Sequence, residues 1–258
     1  IFIGFYFANP GLTRMAVPLL DLKAQYATIR DSVVNAMTRL VNDQSFILGE
    51  PVEQLEREVA KLSQTTHAIG CANGTDAILL SLRALDVGRG DEVLTTPFTF
   101  FATAGAVHNV GARPVFADID PDTFNLSAET IAASIKPSTK AVIAVDLFGQ
   151  MAPIETLMDA AGDIPVVEDA AQSIGARRKI GGKWVMAGQA ATVGTFSFFP
   201  SKNLGGFGDG GMIVTQRDDL ATRLRRLRVH GGLKTYYHEE VGYNSRLDAL
   251  QAAILSAK

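Results

Sequence analysis

A single cysteine, Cys71, occurs among the 258 residues, so no internal disulfide can form and a reducing, cytoplasmic location is expected. Only 20% of the residues are charged, which argues against a disordered chain or a coiled coil. Long basic blocks are also lacking, and we interpret the four arginines within residues 223–228 as a solvated helix face. The apolar run at residues 1–8 is too short to span a bilayer. We therefore predict neither a nucleic-acid partner nor a membrane contact, and no metal site.

Apolar residues are plentiful, at 47% of the sequence, and this is enough for a substantial buried core. A chain of this length holds one large domain, or one domain and part of another. We expect residues 1–14 to be a poorly structured extension, with the ordered protein starting at Met15. Residues 247–258 have the pattern of a helix without a C-cap, so we expect the sequence to be a fragment.

Short apolar runs alternate with amphipathic stretches along the chain. Seven strands are predicted, at residues 67–71, 92–95, 113–117, 141–145, 166–168, 193–198 and 212–215. Helices are predicted at residues 22–40, 50–62, 76–85, 102–110, 128–135, 154–161 and 218–230. This alternation predicts an α/β fold with a mostly parallel seven-stranded sheet and helices on both faces. Ligands of such sheets bind at the carboxyl ends of the strands.

Asn73-Gly74-Thr75 follows the first predicted strand and opens a helix. A helix N-terminus offers free N–H groups and a partial positive charge, so Gly74 and Thr75 are candidates for binding a phosphate. The alternative is that Thr75 is a plain N-cap.

Glu168-Asp169 ends a valine-rich strand, where a buried carboxylate needs a partner. A protonated pyridine nitrogen would be such a partner, and pairing it with Asp169 would make pyridoxal phosphate (PLP) an electron sink. Gln172 could then donate to the phenolic oxygen of the same ring. The alternative is that Asp169 only caps the next segment.

Lys202 follows another strand, among apolar and aromatic residues and before a glycine-rich loop. Because desolvation lowers the pKa of a lysine, this amine is a candidate for Schiff-base chemistry, whereas most lysines lie in solvent. Ser197, at the end of the strand, is placed to bind phosphate. The loop of residues 206–211 precedes a strand, so it is not a dinucleotide fingerprint; we expect its glycines to allow a tight turn.

Three phenylalanines, Phe98, Phe100 and Phe101, cluster after the second predicted strand. One of them could stack on a flat heteroaromatic ring. We expect at least two of the three to belong to the core.

Taken together, these motifs are similar to those of one known family. They occur in the order Gly-Thr-Asp-Ala (74–77), Thr-Phe (99–100), Glu-Asp-Ala-Ala-Gln (168–172), Ser-Phe-Phe-Pro-Ser-Lys-Asn (197–203), Gly-Asp-Gly-Gly (208–211) and Gly-Tyr-Asn-Ser-Arg-Leu-Asp (242–248). The sequence from about Val17 onward resembles the DegT/DnrJ/EryC1/StrS family of nucleotide-sugar aminotransferases, which have PLP-dependent transferase fold type I, the aspartate aminotransferase fold.

The resemblance implies a role for each matching residue. Lys202 would bind PLP covalently and move the proton, and Asp169 would pair with the pyridine nitrogen. The other implied cofactor contacts are Gln172 on the phenolic oxygen, Phe100 (with Phe98 as a rival) on the ring face, Gly74, Thr75 and Ser197 on the phosphate, and Asn244 on the phosphate of the neighbouring subunit's cofactor. A homodimer with shared active sites follows from the last of these roles.

The resemblance also implies a function and a domain plan. The enzyme would transfer an amino group from an amino acid, usually L-glutamate in this family, to a nucleotide-linked keto-sugar. Residues 15–245 would form the large PLP-binding domain, and residues 246–258 would begin a smaller C-terminal domain. Tyr237 and His238 are candidate substrate contacts or ordinary loop residues, and the segment around them is similar to that of enzymes acting on 3-keto sugars. A 4-keto substrate remains equally open.

Other functions compete with this one. A PLP-dependent sugar dehydratase is disfavoured because such family members have histidine in place of Lys202. A cyclitol aminotransferase and a non-catalytic protein that senses PLP or a sugar nucleotide remain alternatives. A flavodoxin-like or Rossmann redox domain ranks last, because only Gly74 follows the first strand where a glycine-rich loop would be needed.

Overall fold

The computed structural model describes residues 19–234 and 236–258, so the expected extension at residues 1–14 lies outside the described residues. The helices are α1 (Leu22–Asp43), α2 (Glu50–Leu62), α3 (Gly74–Ala84), α4 (Phe101–Asn109), α5 (Ala128–Ser134), α6 (Ile154–Ala161), α7 (Asp218–Leu227) and α8 (Ala249–Ala257). The strands are β1 (His67–Cys71), β2 (Glu92–Thr95), β3 (Arg113–Phe116), β4 (Thr139–Val145), β5 (Val166–Asp169), β6 (Arg177–Ile180), β7 (Lys183–Met186), β8 (Val193–Ser197) and β9 (Gly211–Thr215). Within the described ranges, no helix combines the length and apolarity needed to cross a membrane.

Seven of these strands form one sheet in the order β1-β9-β8-β5-β4-β2-β3. β9 is antiparallel to both of its neighbours, and every other pairing is parallel. The predicted mostly parallel seven-stranded sheet is therefore confirmed, and the predicted strand ends differ from the observed ones by two residues or fewer.

Helices cover both faces of the sheet, as predicted. In β4 the alternation of side chains sends Ile143 into a core shared with α3, α4 and α7. On the other face, Val142 and Ala144 pack in a core with α5 and α6. The same face is covered at its β1–β9–β8 end by α2 and α8, and α8 also packs against α1. The proposed domain boundary between residues 245 and 246 stays a prediction.

A two-stranded hairpin, β6–β7, lies outside the main sheet and was missed by the strand prediction. Four of its eight strand residues are charged, three of them in β6, so the segment lacks the apolar alternation that predicts a strand. The turn itself carried a signal: Gly181 and Gly182 have φ values of 55° and 82°, the left-handed geometry that two-residue hairpin turns favour.

The parallel direction of β1, β8, β5, β4 and β2 brings the carboxyl ends of these strands to one edge of the sheet. The motifs at residues 73–75, 168–172 and 197–202 all follow such ends. Because β9 is antiparallel to these strands, it begins at the same edge, and the glycine-rich loop of residues 205–210 that leads into it lies there too. Distant parts of the sequence therefore converge on one place.

The glycines of this loop act through close contact rather than through unusual backbone angles. A Cβ at Gly211 would lie 2.3 Å from the carbonyl oxygen of Asn73, and a Cβ at Gly205 would lie 2.2 Å from that of Pro200. Neither residue has a positive φ. The expected tight return into β9 is present, but its requirement for glycine is steric.

One arginine of the 223–228 run is buried, so interpreting the run as a solvated face was wrong for Arg228. Its guanidinium donates to the carboxylate of Glu56 in α2 and, at 2.8 Å, to the carbonyl oxygen of Gly70 in β1. The Glu56 carboxylate also accepts the N–H of Gly70 at 2.8 Å. This ion pair ties the segment after α7 to α2 and to the edge strand.

Replacing Arg228 by methionine should lower the free energy of unfolding by about 3–5 kcal/mol, because Glu56 would remain as an unpaired buried charge. Chemical denaturation measures the change. Arg217→Met is the matched control, since Arg217 pairs with Asp219 in solvent and such pairs contribute about 0–1 kcal/mol. A loss in Arg228→Met no larger than in the control would contradict the structural role of the pair.

Candidate active site

A cavity of about 310 Å³ opens at the edge where the strand ends converge, a size within the usual range for small-molecule sites. Seven of the predicted site residues line it: Gly74, Thr75, Phe100, Asp169, Gln172, Ser197 and Lys202. The cavity lies between the start of α3, the segment before α4 and the loops after β5 and β8.

The first turn of α3 forms one wall of the cavity. Asn73 is the N-cap of α3, since its side chain accepts the N–H of Asp76 at 2.8 Å, so the alternative role of Thr75 as the N-cap was wrong. The N–H groups of Gly74 and Thr75 have no acceptor within the helix. A Cβ at residue 74 would lie 2.6 Å from the Cβ of Ser197, so only glycine lets the helix approach β8 this closely. The N–H groups and the Ser197 hydroxyl together offer donors suited to an anion.

Asp169 ends β5 and is only 6% exposed. One carboxylate oxygen, Oδ2, accepts the Thr103 hydroxyl at 2.7 Å, and Oδ1 accepts the N–H of Ala171 at 3.3 Å. Burial raises the pKa of Asp169, and the two hydrogen bonds and the positive charge of Lys202 oppose that rise. The contact with Ala171 is a local cap, as the alternative proposed, yet the same side chain also faces the cavity.

Lys202 lies in the turn after β8, where its backbone N–H bonds the carbonyl oxygen of Phe199 at 2.8 Å. Partial burial lowers the pKa of the Lys202 amine, and the nearby Asp169 opposes the shift. Among the residues described, no carboxylate lies within ion-pair distance of this amine. The amine is therefore available at the cavity wall.

Phe100 and Gln172 complete the wall. Phe98 does not line the cavity but packs on Phe124, with ring centroids 5.7 Å apart, so Phe100 is the one of the three clustered phenylalanines that lines it, together with Phe199 from the loop after β8. Phe98, Phe100 and Phe101 are all exposed in the chain, and the expectation that at least two are core was wrong. The Oε1 of Gln172 accepts the N–H of Phe148 at 2.7 Å. Its amide nitrogen is then left to donate, an orientation inferred from the hydrogen bonding.

Three predicted site residues lie away from this cavity. Asn244 is exposed, pairs with Val229 through a β-bridge, and lines a neighbouring cavity. The Tyr237 ring lies in solvent with the Lys234 ammonium 4.7 Å from its centroid. His238 is exposed, and its Nδ1 lies 3.1 Å from the carbonyl oxygen of His230. The single chain does not bring these side chains to Lys202.

Several polar residues at or behind the cavity were missed by the sequence analysis. Thr103 and Asp146 were not considered, and Thr99, Glu168, Ser201 and Asp209 were part of the quoted motifs but received no role. Asp146 directly follows β4, just as Asp169 ends β5. The signal that identified Asp169, a carboxylate at the carboxyl end of a buried strand, therefore applies to Asp146 as well. Thr103 gave a weaker signal, a hydroxyl in an otherwise apolar helix.

Glu168 and Asp146 form a buried carboxyl pair behind the cavity. Strand alternation turns Glu168 to the face opposite Asp169, where it is fully buried and neither oxygen makes a well-formed hydrogen bond within the described residues. Asp146 accepts the N–H of Ala152 at 2.8 Å and the Ser173 hydroxyl at 2.7 Å. Burial and then the adjacent Asp146 raise the pKa of Glu168 well above its ordinary value, and burial raises the pKa of Asp146 to about 6. A proton retained on Glu168 would avoid placing two like charges in this buried pair.

Comparison with known proteins identifies the family. A family model described as the DegT/DnrJ/EryC1/StrS aminotransferase family matches residues 27–258. The chain belongs to the DegT/DnrJ/EryC1/StrS aminotransferase family. The resemblance stated from the motifs is therefore confirmed.

Several relatives within this family have been named. The chain is 51% identical to a pleiotropic regulatory protein of Geobacillus stearothermophilus, over 95% of this chain and 65% of that protein. It is 49% identical to a UDP-N-acetyl-3-dehydro-alpha-D-glucosamine 3-aminotransferase of Acidithiobacillus ferrooxidans, over 94% of this chain and 65% of that protein. It is 47% identical to a UDP-2-acetamido-2-deoxy-3-oxo-D-glucuronate aminotransferase of Pseudomonas aeruginosa, over 94% of this chain and 67% of that protein. The chain thus spans about two thirds of the length of these relatives.

Several solved structures share the fold. DesV of S. venezuelae, crystallised with a ketimine intermediate, has a TM-score of 0.89 at 42% identity, over 93% of this chain and 64% of that chain. The Bacillus subtilis protein NtdA, with the bound cofactor PMP, has a TM-score of 0.82 at 32% identity, over 89% of this chain and 52% of that chain. The prediction of transferase fold type I is confirmed.

Replacing Glu168 by glutamine should make the protein progressively more stable than the wild type as the pH rises above about 4.5. In that range the unfolded Glu168 ionises while the folded one keeps its proton, so the wild type loses about 1.4 kcal/mol for each unit by which the folded pKa exceeds the unfolded one. A glutamine amide can donate to Asp146 and has no proton to lose. Urea denaturation from pH 4 to pH 8 measures the difference.

Glu53→Gln, on the exposed side of α2, is the matched control and should give a curve parallel to that of the wild type. A Glu168→Gln curve that is also parallel would show that Glu168 ionises normally in the folded protein.

Proposed function

We propose that the protein is a PLP-dependent aminotransferase that moves an amino group, from L-glutamate or a similar amino acid, to a nucleotide-linked keto-sugar. One observation carries the proposal. The amine of Lys202 and the buried carboxylate of Asp169 face one cavity that also holds a free helix N-terminus. Family membership and the names of the relatives support the same reaction.

The residues of the cavity fit PLP by their chemistry. The cofactor has a phosphate, a pyridine nitrogen, a phenolic oxygen and an aldehyde, and the cavity offers a counterpart to each. The counterparts are, in the same order, the Gly74–Thr75 turn with Ser197, the Asp169 carboxylate, the Gln172 amide and the Lys202 amine. The exposed ring of Phe100 offers a flat surface for stacking. The NtdA structure, which contains PMP, supports this assignment.

When bound, PLP would supply an electron sink for the negative charge that develops at the substrate carbon. The chain provides the remaining functions. Lys202 would hold the cofactor through its amine and would serve as the general base and acid at the substrate carbon. Its lowered pKa leaves a larger fraction of the amine unprotonated and reactive.

Asp169 holds a proton on the ring nitrogen. Because the carboxylate is 6% exposed, it would remain an unpaired buried charge without a cation, and the pyridinium supplies that cation. The amide of Gln172 orients the ring by donating to its phenolic oxygen. Gly74, Thr75 and Ser197 fix the phosphate end.

The proposed acceptor is a sugar nucleotide with the keto group at carbon 3. Two relatives, at 49% and 47% identity, are named for 3-dehydro and 3-oxo UDP-sugars. Tyr237 and His238 are proposed as substrate contacts. Their distance from the cavity of their own chain suits contact with a substrate in a neighbouring subunit, and both side chains are exposed.

A homodimer with shared sites is proposed on the same grounds. Asn244 is exposed and directed to a second cavity that shares Asn73 and Asp209 with the first, so a partner's cofactor could lie against it. Cytoplasmic location is proposed from the single, buried Cys71, which has no disulfide partner in the sequence.

Borohydride reduction of the PLP-saturated, full-length protein should leave a pyridoxyl adduct on the peptide containing Lys202. Lys202→Arg should lose both the adduct and the visible absorbance of the bound cofactor, because arginine keeps the charge but is not a free amine. Peptide mass spectrometry and absorbance measure these results. Lys179→Arg, in the exposed hairpin, is the control and should keep both.

The same experiment separates the alternatives. An unmodified Lys202 peptide in folded, saturated protein would overturn the assignment. A colourless protein that still binds a sugar nucleotide would instead favour the non-catalytic sensor. The Geobacillus relative, which is named a pleiotropic regulatory protein, is the reason for testing this alternative.

Mixing Lys202→Ala with Asn244→Ala should restore transamination that each variant lacks alone. In the mixed dimer, one site combines the Lys202 of one subunit with the Asn244 of the other, so that site is intact. Activity after mixing and subunit exchange measures the effect. A mixture that stays as inactive as its parts, although mixed dimers form, would contradict the shared site.

A further inference from the structure

A chain of hydroxyl groups runs from the cavity wall to Asp169. The Thr103 Oγ1 lies 2.7 Å from Oδ2 of Asp169 and 2.8 Å from Oγ1 of Thr99. Thr103 is fully buried in the first turn of α4, and Thr99 lines the cavity. The contact joins α4 to the end of β5 across a separation of 66 residues.

Counting protons gives the direction of this chain for the ionised form of Asp169. An ionised carboxylate only accepts, so the single hydroxyl proton of Thr103 points to Asp169. The hydroxyl oxygen of Thr103 is then the acceptor for Thr99. The order is therefore Thr99 to Thr103 to Asp169, and each donor strengthens the next.

Helix packing alone does not account for the geometry. A buried threonine hydroxyl in a helix usually bonds the carbonyl oxygen three or four residues earlier. Here, the Thr103 hydroxyl is directed away from its own helix and toward the end of β5. Its second hydrogen-bond partner is the hydroxyl of Thr99, which precedes the helix. Phe100 lies between these two residues in the sequence and lines the same cavity.

We propose that Thr103, oriented by Thr99, is a positioning residue that holds Asp169 ionised and fixes the direction of Oδ2 at the cofactor site. The inference rests on the proposed role of Asp169 but concerns residues to which that role assigns nothing. A hydrogen bond to the charged form of a carboxyl group favours that form. Burial opposes ionisation of Asp169, so the donors around it decide the outcome.

Other groups also act on Asp169. Lys202 faces it from the loop after β8 and favours its ionised form, and Asp146, at the end of β4, opposes ionisation. Glu168 precedes it in β5 but points to the other face. None of these groups is altered by a change at Thr103, so such a change isolates the hydroxyl.

The test compares Thr103→Val, which keeps the shape but loses the hydroxyl, with Thr103→Ser, which keeps the hydroxyl. In the PLP-free, full-length protein, Thr103→Val should raise the pKa of Asp169 by about one unit or more, and Thr103→Ser should leave it near the wild-type value. The shift appears as a stability difference from the wild type that grows as the pH rises through the pKa of Asp169. Unfolding measured over a pH series, in the wild-type and Asp169→Asn backgrounds, detects it.

The outcomes separate cleanly. A pH-dependent loss in Thr103→Val that vanishes in the Asp169→Asn background supports the proposal. A pH-independent loss of equal size in both backgrounds shows a packing role only and overturns it. If Thr103→Val does not fold, Thr99→Val decides, with a smaller shift in the same direction expected and no shift overturning the relay.

Cofactor binding gives an independent second reading. Thr103→Val should weaken PLP binding and Thr103→Ser should not, as measured by cofactor titration. A wild type that binds no PLP would refute the proposed function, while the pH series without cofactor would still report on the hydroxyl relay.

Discussion

The candidate site depends on keeping one carboxylate charged in a place where water is nearly absent. Asp169 ends a strand in the middle of the sheet, and desolvation there favours its neutral form. The hydroxyl of Thr103, the N–H of Ala171 and the charge of Lys202 act in the other direction. These partners fall short of a full counter-charge, which leaves the carboxylate suited to a cationic ring nitrogen.

The sheet provides the setting for this balance. Parallel strands deliver Asn73, Asp169 and Lys202 to one edge, although long stretches of sequence separate them. The antiparallel β9 closes the same edge, and its first residue, Gly211, passes so near Asn73 that no side chain fits there. Close contact at Gly74 likewise lets the start of α3 meet Ser197. The anion site is thus a product of backbone approach rather than of basic side chains.

Behind the cavity, the surroundings of the Glu168–Asp146 carboxyl pair favour the protonated form of Glu168. Neither carboxyl oxygen of Glu168 has a hydrogen-bond partner among the described residues, and burial beside Asp146 raises the pKa of Glu168 well above its ordinary value. Two adjacent residues of one strand therefore have different surroundings, because alternation turns them to different faces. On the outside, the exposed Asn244, Tyr237 and His238 lie away from the cavity of their own chain.

The sequence by itself determined the α/β architecture, most of the strand ends and seven residues of the cavity. These follow from local signals: apolar periodicity, and polar residues placed directly after strands that share one edge. Tertiary structure decided the antiparallel insertion of β9, the burial of Arg228 against Glu56, the exposure of the phenylalanines and the partners of Thr103 and Asp146. Each of these depends on which elements become neighbours, and a buried hydroxyl, carboxyl or guanidinium gives no local sign of the distant group that satisfies it.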